Sequence, residues 1–296
     1  MDFKRIAVLA VVALVIGAAS TASAQDPTNQ DPADFIEGSR PTGLGGAFTS
    51  VGTGPVGLYH NPSGIALAKM YGLAANYEFT PTGHIINASV VDSKTNPNVA
   101  AGAGYSYIFG LEDADPQGHD IRLGLAVPIL KNKISFGLGG RYLVLDSGNT
   151  QVVNHFTLDA GIIVEPVDNF RIGVSGKNMI DVCDNPQRCG GIAPQMLAGG
   201  ISYGDATNFM ISGDVEADFT SEPDTVNMEY QFGGEVLAGP VPIRAGYEHR
   251  TLTEAHNVSL GLGFKHSKFG VDVGGRMDVT DTSRFTIAVS LEGYLN

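Results

Sequence analysis

The chain has 296 residues, including 39 glycines, 15 prolines, two cysteines and no tryptophan, and it carries a formal net charge of −13 at pH 7. So acidic a chain lacks the clustered Lys and Arg that neutralise phosphates, which argues against nucleic acid as a partner. Two cysteines with no second pair and no histidine beside them make a poor zinc site, so no metal and no cofactor is expected.

At the start, Lys4 and Arg5 precede an apolar run from Ile6 to Ala19 that ends in Ala22-Ser23-Ala24. That is the layout of a secretory signal peptide over residues 1–24, removed before Gln25. The run is shorter than the ~20 residues a spanning helix needs. Residues 25–40 are polar and contain prolines, as expected of a mobile periplasmic leader. Residues 43–68, GLGGAFTSVGTGPVGLYHNPSGIALA, are different: rich in glycine, yet with a spaced apolar set that includes Phe48, Leu58 and Ile65. Asn61 stands before Pro62 and is therefore biased away from helix, which predicts a bend there.

From Tyr71 onward the period becomes two. In His155–Val164, HFTLDAGIIV, Phe156, Leu158, Ala160, Ile162 and Val164 share one face while Thr157, Asp159 and Gly161 share the other. Asn257–Lys265 and Arg284–Tyr294 repeat the pattern, as expected of strands. About fourteen such segments follow one another, starting near Tyr71, Ile85, Val99, Asp120, Lys133, His155, Phe170, Gln195, Phe209, Asn227, Val241, Asn257, Phe269 and Arg284. Their spacing suits a membrane-length strand plus a turn. Connections at 129–133, 165–169, 204–208, 237–240 and 266–268 read as short. Those at 110–119, 145–154, 179–194 and 219–226 read as long. Alternating short and long turns are the habit of an up-and-down membrane barrel with tight periplasmic turns.

The two faces favour a membrane barrel over a soluble sandwich, which would wet one face of each strand and keep the other dry. One face here is aliphatic and aromatic. The other carries both signs of charge, among them Arg122, Arg141, Asp159, Asp214, Glu216, Asp218, Arg244 and Arg276. The first face suits lipid and the second a lumen, where Asp214, Glu216 and Asp218 are expected to lie near Arg244 and Arg276. Tyrosines near strand ends, with Tyr294 standing in for the terminal aromatic, fit interfacial girdles. The sequence therefore predicts an all-β protein: a transmembrane antiparallel up-and-down β-barrel of about fourteen strands over residues 71–296. Such a barrel is too wide for its own side chains to fill. Many lumen positions are glycine (Gly102, Gly104, Gly124, Gly137, Gly139, Gly173, Gly261, Gly263 and Gly274), so residues 25–70 are expected to supply a leader and then a lumen plug. Cys183 and Cys189 share one polar stretch and are expected to form a local disulfide in an oxidising compartment.

The stretch RPTGLGGAFTSVGTGPVGLYHNPSGIALA also resembles the amino-terminal signature of the FadL-type outer-membrane transporter superfamily, in particular its PorV/PorQ-like branch. Gly43, Gly45, Gly46, Ala47 and Phe48 match the glycine-rich start, and Asn61, Pro62 and Gly64 match the turn before the first strand, with Ser63 in place of the usual alanine. The resemblance implies a plugged barrel in the outer membrane of a Gram-negative bacterium, surrounded by lipid. It implies passive transport of hydrophobic or small amphipathic, fatty-acid-like molecules. An alternative it carries is a barrel that binds or anchors exported proteins, and a third is a plugged structural barrel. The seven histidines are scattered and build no catalytic triad or metal-ligand spacing, so no enzyme is expected.

Overall fold

A computed structural model describes residues 38–112, 115–130, 133–148, 150–180, 192–205, 207–222 and 224–295. The expected signal peptide and the two cysteines, Cys183 and Cys189, lie outside the described residues. Fourteen strands form one closed barrel. They are β1 (Tyr71–Thr80), β2 (Gly83–Asp92), β3 (Ala100–Gly110), β4 (Gln117–Ile129), β5 (Ile134–Ser147), β6 (Thr150–Val167) and β7 (Phe170–Lys177), then β8 (Met196–Gly204), β9 (Phe209–Asp218), β10 (Asn227–Ala238), β11 (Val241–Arg250), β12 (Ala255–Lys265), β13 (Phe269–Asp278) and β14 (Phe285–Leu295). Each pairs antiparallel with its sequence neighbours, and β1 closes on β14 with Tyr71 opposite Leu295 and Phe79 opposite Ile287. Closure leaves no unpaired strand edge. The end where β1 begins and β14 finishes is termed the base, the opposite end the top.

Alternation along each strand sorts side chains to the two sides of the wall. On β4, Asp120, Arg122 and Ala126 are buried while Ile121, Leu123, Leu125 and Val127 are exposed on the outside. Leu260 of β12 is 68 % exposed and Leu138 of β5 67 %. A leucine left this open to water forgoes most of the roughly 1.5–3 kcal/mol that burial provides. Repeated around the wall, that makes the outer surface one suited to lipid.

Tyr77, Tyr105 and Tyr247 project outward toward the top, and each hydroxyl meets a histidine Nδ1 on the next strand: His84 at 2.6 Å, His119 at 2.8 Å and His256 at 2.6 Å. Near the base, Tyr203 meets Phe209 and Phe264 meets Phe269. These rings stand where interfacial aromatics belong. Tyr294 departs from the expectation. It shares the inward parity of buried Ala288 and Ser290, and its hydroxyl donates to Glu292, so it lines the interior.

Two connections also differ from expectation. Residues 145–154 do not form a long loop: β5 runs to Ser147, β6 starts at Thr150, and the turn between them holds Gly148 at φ 58°. Leu145 pairs with Val153, and both are buried, so the alternation continues past where turn residues suggested a stop. The β2–β3 connection is long although it lies at the base. Ser93 there ties down the entry to β1, its Oγ accepting from Met70 N–H at 3.0 Å.

Candidate functional site in the barrel interior

Residues 38–70 run inside the wall as a short helix (Ser39–Gly43), a helical turn (Gly57–His60) and a 3-10 helix (Pro62–Ala66) joined by irregular backbone. Irregular backbone away from water must find partners for its N–H and C=O groups, and inward side chains of the wall supply them. Glu78 accepts from Gly38 N–H at 2.7 Å, and Asp214 accepts from Thr49 N–H at 2.6 Å. Ser212 donates to the Ala47 carbonyl at 2.9 Å, Ser175 to His60 at 2.9 Å and Ser135 to Ser63 at 2.7 Å. Asn61, extended at φ −151° as the following proline predicts, folds its amide back: Oδ1 accepts from Ser63 N–H at 3.1 Å, and Nδ2 donates to Thr49 O at 2.9 Å.

Glycines let the two backbones meet. A methyl group on Gly274 would collide with Ser39, on Gly233 with Leu44, on Gly173 with Thr49, on Gly137 with Ser63 and on Gly104 with Tyr59. Gly161 and Gly246 are equally close to Asn61 and Gly45. The segment thus visits the wall from β13 round to β3. Of the glycines expected to leave room, Gly139 and Gly263 instead accommodate the side chains of Asp159 and Asp272. The motif residues follow the same rule. Gly43 lies against Gly261, while Gly45 (φ 64°) and Gly46 (φ 83°) press on the Tyr247 backbone and on Gln231. Ala47 and Phe48 are buried, and Gly64 abuts the Gly52 carbonyl.

The charges fall into separate sets. Toward the base, Arg40 donates to both oxygens of Glu235 at 3.0 Å, and Arg244 reaches Glu235 at 2.5 Å and Asp272 at 2.6 Å. Burial alone would lower the pKa of Arg40; Glu235 outweighs it and holds the guanidinium above its ordinary value. Toward the top, Glu248 receives Arg250 at 3.0 Å, Arg276 at 3.3 Å and the Asn257 amide at 2.8 Å. The expected grouping of Asp214, Glu216 and Asp218 with Arg244 and Arg276 is therefore not what forms. Asp214 holds Thr49, Glu216 pairs with Lys177 at 2.7 Å, and Asp218 accepts from Thr220 and Ser221 N–H groups. They face inward as read, but toward other partners. On the other side of the lumen, Asp120, Arg122, Arg141 and Asp159 form a third set.

Arg40 and Asp120 were missed by sequence reasoning. Arg40 falls in what reads as leader, yet it pairs with buried Glu235. Asp120 alternates with Arg122, a period-two signal that could have identified it.

Apolar side chains of the interior gather beside these sets. Ile85, Ile108, Leu143, Leu145 and Val153 near the top, Leu58, Tyr59 and Ile65 of the segment, and Val91, Ala100 and Ala126 near the base form one buried cluster. It follows β2 to β6, whereas the Glu235 and Glu248 sets occupy β10 to β13. Burial pushes the Tyr59 phenol pKa up, keeping it neutral, and its oxygen accepts from Asn87 at 2.5 Å.

No family profile and no curated protein matches this sequence. Solved structures do match in fold. The monoaromatic hydrocarbon channel CymD superposes with a TM-score of 0.64 at 12 % identity, covering 88 % of this chain and 99 % of that one. The P. putida toluene transporter TodX gives 0.66 at 11 % identity over 89 % of this chain and 99 % of its own. The deltaS2 mutant of the TodX monoaromatic hydrocarbon channel gives 0.57 at 10 % identity over 88 % and 99 %. At these identities the likeness is one of fold.

Proposed function

We propose that this protein lets small hydrophobic or amphipathic molecules cross the outer membrane of a Gram-negative bacterium passively, with residues 38–70 as the plug of its lumen. The observation that carries the reading is the apolar flank along β2 to β6, which has members from top to base around one buried charge set and packs against Leu58 and Ile65 of the segment. Ions need a hydrated path, whereas here the inward charges are buried against one another and against the segment. Passage then requires the Gly57–Ala66 part of the segment to shift away from the flank. The fold shared with hydrocarbon channels supports the same substrate class. The fatty-acid-like preference, the PorV/PorQ-like placement and the anchoring of exported proteins rest on the amino-terminal motif alone.

Uptake of radiolabelled toluene and decane by a host lacking its own hydrocarbon channels tests the proposal. Cells carrying the intact barrel should take up both faster than vector controls. Equal uptake, with the barrel shown by heat-modifiable migration to be folded in the outer membrane, would overturn transport and leave the protein-anchoring and plugged structural readings.

A further inference from the structure

Midway along the apolar flank four buried charges interrupt it. Asp120 is inaccessible to solvent and receives Arg122 Nη2 at 3.1 Å and Arg141 Nη2 at 2.8 Å. Arg122 Nη1 also stands 3.7 Å from Asp159. Each guanidinium makes a further contact as well. Arg122 lies over the Tyr59 ring at 4.9 Å from its centroid, and Arg141 Nη1 donates to Asn178 Oδ1 at 2.9 Å. Asn178 sits at φ 50°, a conformation asparagine tolerates, and its N–H donates to Asp159 Oδ1 at 2.7 Å, locking the fourth member in place. Two cations and two anions thus form a neutral set, with Leu143 opposite Asp120 in the register and Leu145 two residues further toward the top.

This arrangement decides what a passing molecule meets. An arginine pair with open donors above an apolar floor would clamp a carboxylate in bidentate fashion. Here Asp120 already holds that position. A carboxylate leaving water would have to displace a buried aspartate or lie unpaired beside two anions, and an unpaired buried charge is strongly disfavoured. An uncharged molecule needs no counter-charge there. We propose that the flank passes uncharged hydrophobic molecules and turns away carboxylates, with Asp120 and Asp159 as the residues that set this specificity. The inference rests on the proposed function and narrows its substrate class.

The test measures uptake of labelled toluene and of labelled decanoate in the same host, each against vector. The wild-type barrel should speed toluene and leave decanoate at the vector rate. Asp120→Asn keeps the shape of the side chain but frees a cation, so the decanoate-to-toluene ratio should rise by roughly tenfold, the worth of one charge-assisted hydrogen bond. Asp159→Asn, which removes only the longer contact to Arg122, should raise it less and is the variant to read if Asp120→Asn does not fold. Decanoate crossing as readily as toluene in the wild type overturns the charge selection while leaving hydrophobic passage standing. An unchanged ratio in both folded variants overturns the roles of Asp120 and Asp159. Uptake of neither molecule by the folded wild type overturns this inference together with the function beneath it.

Discussion

Gly173 and Gly199 lie one residue out of register on neighbouring strands, β7 and β8, and face opposite sides of the wall: Gly173 pairs with Gly200, and Gly199 with Val174. A Cβ at position 173 would stand 2.6 Å from the Thr49 carbonyl oxygen, 2.8 Å from Ser50 Cα and 2.9 Å from Thr49 C, all backbone atoms that no rotamer change can move. At position 199 it would meet nothing within 4 Å. Gly173→Ala therefore forces the segment off the wall by about 0.8 Å to recover an ordinary 3.4 Å contact. That shift strains the bonds from Thr49 N–H to Asp214 and from Asn61 to Thr49 O. Overpacking of this kind costs about 1–3 kcal/mol, which moves the seated-to-unseated ratio of the segment by roughly 5- to 150-fold. Gly199→Ala alters only strand propensity, a change of at most about 1 kcal/mol. Single-channel recording in planar bilayers should show more frequent or longer open events for Gly173→Ala, and wild-type traces for Gly199→Ala. Indistinguishable traces from the two variants, both folded, would refute the idea that the segment's seat on the wall controls the lumen.

Other perturbations probe the remaining elements. Glu235→Gln leaves buried Arg244 with Asp272 and strips Arg40 of its ion pair, and should cost about 3–5 kcal/mol in a denaturant titration of the detergent-solubilised barrel. A smaller loss in the Arg40→Gln, Glu235→Gln double variant would show that the two residues are coupled. Asn61→Ala removes the cap of the 3-10 helix and should lower stability by about 1 kcal/mol, with added conductance because Thr49 O loses its donor. Leu260→Arg, on the outer face, should weaken folding into lipid vesicles by about 2–4 kcal/mol if it sits near the bilayer midplane; an unchanged folding titration would contradict the lipid-facing assignment. Deleting residues 41–68 should raise nonspecific leakage of small dyes if the segment is a plug, and leave leakage unchanged if it is not.

The strands were legible because their signal is local. Adjacent residues of a strand face opposite sides of the wall, so the alternation in Asn257–Lys265 names the outward leucines and the inward glycines without knowledge of any other strand. The glycine-rich start and the Asn61-Pro62 turn were visible for a similar reason: backbone that must bend or approach closely restricts which residues can stand there. Residues 145–154 misled because Asp146, Ser147 and Gly148 mark only a two-strand tip, while the buried pair Leu145 and Val153 that prolongs the hairpin becomes apparent only once the register is known. The inward charges show the deeper limit. A strand pattern tells which side of the wall a carboxylate faces, but not what stands across the lumen from it. Arg40 finds Glu235 at a separation of 195 residues, and Asp214 spends its oxygen on the Thr49 backbone instead of an arginine. Sequence alone determined the barrel, its faces and the segment before it, since these follow from periodicity and backbone sterics. The division of the interior into an apolar flank and paired charges was decided only by the tertiary structure, because closure of the sheet and the path of the inner segment choose the partners.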